Sequence, residues 1–88
     1  MEHETAAILR NLGRRIGELR RERGLTQETA AEMLGMLAPN YARIEQGRQN
    51  VTVDTLVRIT RMLGSDVTIA ELFASPAAPP RRSRKSAT

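Results

Sequence analysis

Hydrogen-bond donors crowd one short stretch of the chain, residues 35–50, which reads GMLAPNYARIEQGRQN. Tyr41 and Ile44 supply the apolar spacing of three residues that one face of a helix requires, and six of the other fourteen residues carry an amide or guanidinium group. Such a helix buries a narrow stripe. The stretch is therefore either an ordinary solvated helix or a helix whose outer face contacts a polar, ordered partner.

Groups that perform catalysis or bind metals are scarce elsewhere in the chain. There is a single histidine, His3, and no cysteine, which excludes disulfides, thiolate metal sites and thiol nucleophiles. The sequence also lacks a glycine-rich phosphate loop and an obvious pair of catalytic carboxylates. We therefore expect a non-enzymatic protein with no metal and no cofactor.

The net charge of +4 is unevenly distributed along the 88 residues. Residues 1–75 hold equal numbers of basic and acidic side chains, whereas residues 76–88 hold four basic side chains and no acid. If residues 1–75 bind nucleic acid, their basic side chains must therefore cluster on one surface, because this part of the chain has no excess of positive charge. No apolar run is long enough to span a membrane and no signal peptide is visible, so we expect a cytoplasmic location without membrane contact.

Apolar periodicity and capping residues predict an all-α chain. Thr26, Thr52 and Thr68 are suitable N-caps, and glycines follow the ends of the first four helices. The predicted helices cover residues 5–23, 27–34, 39–46, 53–63 and 69–74. We place one domain at residues 5–75, and the basic, proline-containing segment 76–88 is predicted to be disordered.

Two short helices joined by a glycine-containing turn, residues 27–46, describe a helix-turn-helix, although any helical bundle contains such a pair. The longer stretch GLTQETAAEMLGMLAPNYARIEQGRQNVTVDTLVRITRMLG is more specific. Its blocks Leu-Thr-Gln-Glu, Ala-Glu…Leu-Gly, Arg-Ile-Glu…Gly and Thr…Asp-Thr-Leu occur in the order and spacing of one family. The chain resembles the XRE family of Cro and phage repressors over residues 8–74, which implies a compact five-helix, lambda-repressor-like domain.

The resemblance also implies a role for each polar position. Residues 37–46 would form the recognition helix, which enters the major groove of a double-stranded DNA operator. The protein would accordingly be associated with the nucleoid. Its base-contacting residues would be Ala38, Asn40, Arg43 and Gln46, of which Arg43 suits guanine and Asn40 suits adenine. The phosphate-contacting residues would be Arg20, Thr26, Gln27, Arg48, Gln49 and Asn50.

Glu45 has a different implied role, because a carboxylate beside a phosphate backbone is repelled unless another group holds it. In the family it pairs with an arginine at the end of the first helix, which is Arg20 here. The other arginines of the first helix are expected to pair with Glu18 and Glu22 on its surface. Leu37 and Ala38 depart from the polar residues common in the family, which leaves Asn40 and Arg43 as the main candidates for base recognition.

Family members commonly dimerise near the last helix, so a homodimer on a palindromic operator is implied. The candidate interface residues are Val67, Ile69, Leu72 and Phe73. The leading interpretation is a repressor. The alternatives are the antitoxin of a toxin–antitoxin pair, with a toxin as protein partner, the controller of a restriction–modification operon, and a protein-interaction module that no longer reads DNA. The basic tail is either a solubilising end or an arm that adds non-specific DNA affinity.

Overall fold

The computed structural model describes residues 3–74 and confirms the all-α fold, with no strand in that range. Five helices follow in order, with the predicted ends shifted by no more than two residues: α1 (His3–Glu22), α2 (Gln27–Leu34), α3 (Ala38–Glu45), α4 (Val53–Leu63) and α5 (Ile69–Leu72). The tail predicted for residues 76–88 lies outside the described residues, and so does the last residue of the predicted domain.

The helices begin and end at the residues that local chemistry favours. The hydroxyls of Thr26 and Thr52 each accept a hydrogen bond from the backbone N–H three residues later, and Thr68 forms a capping box with Glu71. Leu37 precedes α3 without a side-chain cap. Gly35 ends α2 with φ at 70°, a left-handed conformation that a side chain would disfavour.

Aliphatic side chains from all five helices meet in one core around a single buried aromatic residue, Tyr41. The fully buried positions are Ile16, Ala30, Tyr41, Ile59 and Leu72. Ala30 and Ala31 are buried, and their small side chains allow α2 to approach its neighbours closely. Ile8, next to the buried Leu9 in α1, is 48% exposed.

Three glycines bring α1 against the end of α3. A Cβ atom on Gly13 would overlap the backbone carbonyls of Ile44 and Glu45. A Cβ atom on Gly47 would lie 2.6 Å from the Cα of Arg10, and Gly47 also has φ at 71°. Gly17 faces the Glu45 side chain. Because no other residue fits at Gly13 or Gly47 without moving backbone, these positions fix how closely the two helices pack.

The predicted dimer-interface residues divide between the core and the surface. Leu72 is fully buried and Val67 is 8% exposed, so the prediction that they lie at a dimer interface is wrong. Both side chains belong to the protomer's own core: Leu72 lies in α5, which packs against α1 and α4, and Val67 lies just before α5. Ile69 packs partly against the core, and Phe73 remains 46% exposed.

Candidate nucleic-acid interface

The Glu45 carboxylate, at the last turn of α3, lies within a buried cluster of hydrogen-bond donors. The Arg20 guanidinium from α1 approaches it side-on, with Nε 2.6 Å from Oε2 and Nη2 3.2 Å from Oε1. The two side chains are only 9% and 8% exposed. The pairing that the resemblance implied is therefore present as a buried, two-pronged ion pair.

Two more donors complete the cluster. The Tyr41 hydroxyl donates to Oε2 of Glu45, and the side-chain amide of Gln27 donates to Oε1 at 2.9 Å. Glu45 therefore joins α1, the start of α2 and α3 through one carboxylate. We call Arg20, Gln27, Tyr41 and Glu45 the Glu45 cluster. Neither contact was predicted. Tyr41 lies one helical turn before Glu45, a spacing that brings two side chains together, whereas Gln27 is a partner distant in sequence.

The cluster keeps the carboxylate ionised. Burial alone would raise the pKa of Glu45, but hydrogen bonds from Arg20, Tyr41 and Gln27 outweigh burial and hold that pKa below its usual value. Burial, followed by the hydrogen bond to Glu45, raises the pKa of the Tyr41 hydroxyl. The hydrogen bond with Glu45 also raises the pKa of Arg20. The cluster is thus a charged network whose acceptor is fully engaged.

Arg20 and Gln27, both predicted phosphate contacts, have hydrogen-bond partners inside the protein. Arg20 is 7% exposed, and its third nitrogen, Nη1, donates to the carbonyl of Leu25 at 2.7 Å. The Gln27 amide nitrogen donates to Glu45, and the residue is partly exposed. Both side chains therefore help to orient α3, and their contact with a phosphate stays a prediction.

The outward side of α3 is polar, and one hydrogen bond joins two of its side chains. Arg43 is exposed, and its Nη1 donates to Oδ1 of Asn40 at 2.7 Å. Gln46 is also exposed at the end of the helix. Ala38, a predicted base contact, is partly exposed and packs partly against the core.

Other polar groups lie near the C-terminal end of α3. Thr26 is exposed at the start of α2, where its hydroxyl accepts from the Thr29 N–H at 3.0 Å, and the next residue, Gln27, reaches Glu45. After α3, Arg48 and Asn50 are exposed and Gln49 is partly exposed. A helix N-terminus, which attracts anions, and a segment rich in donors therefore accompany this end of α3.

Surface pairing of the α1 arginines follows the prediction only in part. Arg15 of α1 pairs with Glu18 at 3.2 Å, and Arg23, just after α1, pairs with Glu22 at 3.8 Å. Three of the five arginines of α1 have no acidic side chain of residues 3–74 within ion-pair distance, namely Arg10, Arg14 and Arg21. These three line a groove of about 280 Å³ together with Gly13, Gly17, Glu45 and Gln46. This groove was not predicted from the sequence.

No group of acidic or histidine side chains that could hold a metal ion occurs in the described part of the chain. The described helices are also too short or too polar to cross a membrane.

We predict that Arg20→Met lowers the free energy of unfolding by about 3–5 kcal/mol, because it leaves the Glu45 charge buried without its counter-ion. The matched control is Arg15→Met, which removes a more exposed ion pair and should cost below about 1 kcal/mol. Urea unfolding of both variants measures the difference. Equal effects of the two substitutions would mean that the Glu45 cluster does not hold the helices together.

We also predict a specific acid sensitivity. Because the pKa of Glu45 is lowered in the folded state, its contribution to stability is complete above the ordinary glutamate pKa of about 4.3 and is lost as pH falls through the lower folded value. The stability difference between the wild-type chain and Glu45→Gln should therefore shrink on acidification. Urea unfolding of both proteins from about pH 6 down to about pH 3 covers this range. A difference independent of pH would contradict the assignment.

Comparison with known proteins agrees with this geometry. Residues 11–72 match the family model described as a helix-turn-helix domain. The chain is 31% identical over 67 residues to the HTH-type transcriptional regulator PuuR of Escherichia coli (strain K12), covering 76% of this chain and 35% of PuuR. It is 42% identical over 65 residues to the HTH-type transcriptional regulator RamB of Mycobacterium tuberculosis (strain ATCC 25618 / H37Rv), covering 73% of this chain and 13% of RamB. The chain thus matches about a third or less of the length of these two relatives.

Among solved structures, the restriction-modification controller protein C.AhdI from Aeromonas hydrophila is similar. It superimposes with a TM-score of 0.69 at 34% sequence identity, covering 76% of this chain and 98% of C.AhdI. The resemblance to the XRE family is confirmed, and the chain belongs to the helix-turn-helix domain family.

Proposed function

We propose that the chain is a sequence-specific, double-stranded DNA-binding transcriptional regulator in which α3 enters the major groove. The observation that carries this proposal is the solvent-facing hydrogen bond between Asn40 and Arg43 on α3. The C-terminal end of the same helix is held in place by the ion pair of Glu45 with Arg20. An α-helix fits the major groove of B-DNA, where base edges present distinct donors and acceptors. The transcriptional-regulator names of PuuR and RamB support the same class of function.

Arg43 is the main base-reading residue in this proposal, through a two-pronged hydrogen bond to O6 and N7 of guanine. Because Oδ1 of Asn40 accepts from Arg43, Asn40 holds the guanidinium in place while that bond persists. A two-pronged pairing of Asn40 with adenine uses the same oxygen, whose second lone pair can accept from adenine N6 while the first accepts from Arg43. Gln46 adds a further donor and acceptor at the end of the helix.

Phosphate contacts on either side would fix the position of α3 on the duplex. The N-terminus of α2 at Thr26 offers backbone N–H groups and the positive end of the helix dipole. Arg48, Gln49 and Asn50 offer side-chain donors after α3. Arg20 and Gln27 act indirectly, by orienting the reading helix from inside.

The proposed assembly is a homodimer on a palindromic operator, because two-fold protein symmetry matches two half-sites. Phe73 and Ile69 are the remaining candidates for the interface once Val67 and Leu72 are assigned to the core. Phe73 is 46% exposed directly after the short α5, a large apolar surface for a side chain in water.

A repressor and a controller of a restriction–modification operon are both consistent with such a domain. The controller alternative is favoured by one observation, the similarity to nearly the whole of C.AhdI. The two are distinguished by the genes beside the operator that the protein selects.

Arg43→Ala should weaken binding by about 1–3 kcal/mol and relax the base preference at one position of each half-site. Arg48→Ala should weaken binding on all sequences alike and reduce the salt dependence by about one phosphate contact. Arg61→Ala, in α4 outside the α3 face, is the control with the same charge change. Fluorescence anisotropy on a site selected from a random pool, and on its single-base variants, measures these effects. If Arg43→Ala and Arg48→Ala both bind DNA with wild-type affinity at low salt, the proposal is refuted.

Phe73→Glu should convert the dimer to a monomer in sedimentation equilibrium, because it places a charge in an apolar contact. Met33→Glu, which alters an exposed apolar residue of α2, is the matched control and should leave the mass unchanged. A dimer that survives Phe73→Glu, or one that Met33→Glu disrupts, would place the interface elsewhere.

A further inference from the structure

We propose that Arg10, Arg14 and Arg21 form a second, sequence-independent binding site for the phosphate backbone of DNA. We call these three residues the α1 arginine stripe. This inference rests on the proposed function, and it extends the DNA-binding surface from α3 onto the flank of α1. Neither the family match nor the names of the related proteins assign any role to these residues.

The stripe lies on one side of α1 and its charge is uncompensated. Spacings of four and seven residues bring side chains to the same face of a helix, and the stripe extends over about 16 Å of the axis. Other arginines of α1 are engaged with carboxylates, whereas these three have no ion-pair partner within residues 3–74. The only acidic residue lining the groove is Glu45, and Arg20 already balances its charge.

Gly13 and Gly17 line the groove between the arginines, on the same side of α1. The place of a Cβ atom on Gly13 is already filled by the carbonyls of Ile44 and Glu45, so the glycines bring the end of α3 against α1. The space of about 280 Å³ lies beside this contact and is lined by the arginines and by the end of α3. The groove is therefore an anion-sized depression lined by guanidinium groups.

The groove continues the proposed reading face. Gln46, the exposed residue after the last turn of α3, also lines the groove. Gly47 lies against the backbone of Arg10, which ties the stripe to the end of the recognition helix. A duplex seated on α3 therefore has a strand close to the mouth of the groove. Backbone phosphates, which recur about every 3.4 Å of helix axis on each strand, are the anions that reach it.

An acidic protein surface is the competing occupant, and salt dependence on DNA separates the two. Each phosphate contact contributes about 0.9 to the slope of log K against log salt for B-DNA. The combined variant Arg10→Gln, Arg14→Gln and Arg21→Gln should reduce the magnitude of that slope by about 2–3 per protomer. Base preference on single-base variants of the selected site should not change, because phosphate contacts carry no sequence information.

The matched control is the combined variant Arg15→Gln, Arg58→Gln and Arg61→Gln, which removes the same number of charges from other parts of the surface. Circular dichroism verifies that both variants fold, and the three single variants of the stripe should each give a smaller share of the effect. A stripe variant whose slope and affinity equal those of the control overturns this inference alone, provided that Arg43→Ala still weakens binding. Failure of the wild-type chain to bind any duplex would overturn the proposed function and this inference together.

Discussion

The buried carboxylate of Glu45 is the constraint on which the arrangement of helices depends. It accepts hydrogen bonds from Arg20 in α1, Gln27 in α2 and Tyr41 in α3, so it couples three helices through one group. A buried charge is costly unless it is paired and hydrogen-bonded, and here every part of that requirement is met. Because hydrogen bonds are directional, the cluster specifies one orientation of α3. An apolar contact of similar size lacks this directionality.

Close packing and hydrogen bonding act together at this point. Gly13 and Gly17 let α3 approach α1 closely enough for the Arg20 guanidinium to reach Glu45 side-on. The same approach leaves the groove lined by the α1 arginine stripe. One side of α1 thus serves the fold through its glycines and Arg20, while the arginines of the stripe beside them remain available to an anion. This division explains how a body with no net charge can present a locally basic surface.

Much of the fold followed from local chemistry, whereas the site did so only in part. Thr26, Thr52 and Thr68 cap helices because a hydroxyl three residues before a free N–H needs no distant partner. The Arg20–Glu45 pair was expected only through family resemblance. The contact of Gln27 with Glu45, and the groove beside the α1 arginine stripe, depend on how helices distant in sequence meet. The contact of Tyr41 with Glu45 follows the local spacing of α3 instead. The assignment of Leu72 to an interface was wrong because the direction in which a four-residue helix faces is set by packing, not by its composition.

The most direct test of the account is methylation interference at guanine N7 in the DNA site that the protein selects. The wild-type chain should fail to bind when one particular guanine in each half-site is methylated, since Arg43 needs that nitrogen as an acceptor in the major groove. Arg43→Ala should be insensitive to methylation of the same guanine while remaining sensitive to salt. An identical interference pattern for both proteins, or interference confined to adenine N3 in the minor groove, would contradict the placement of α3.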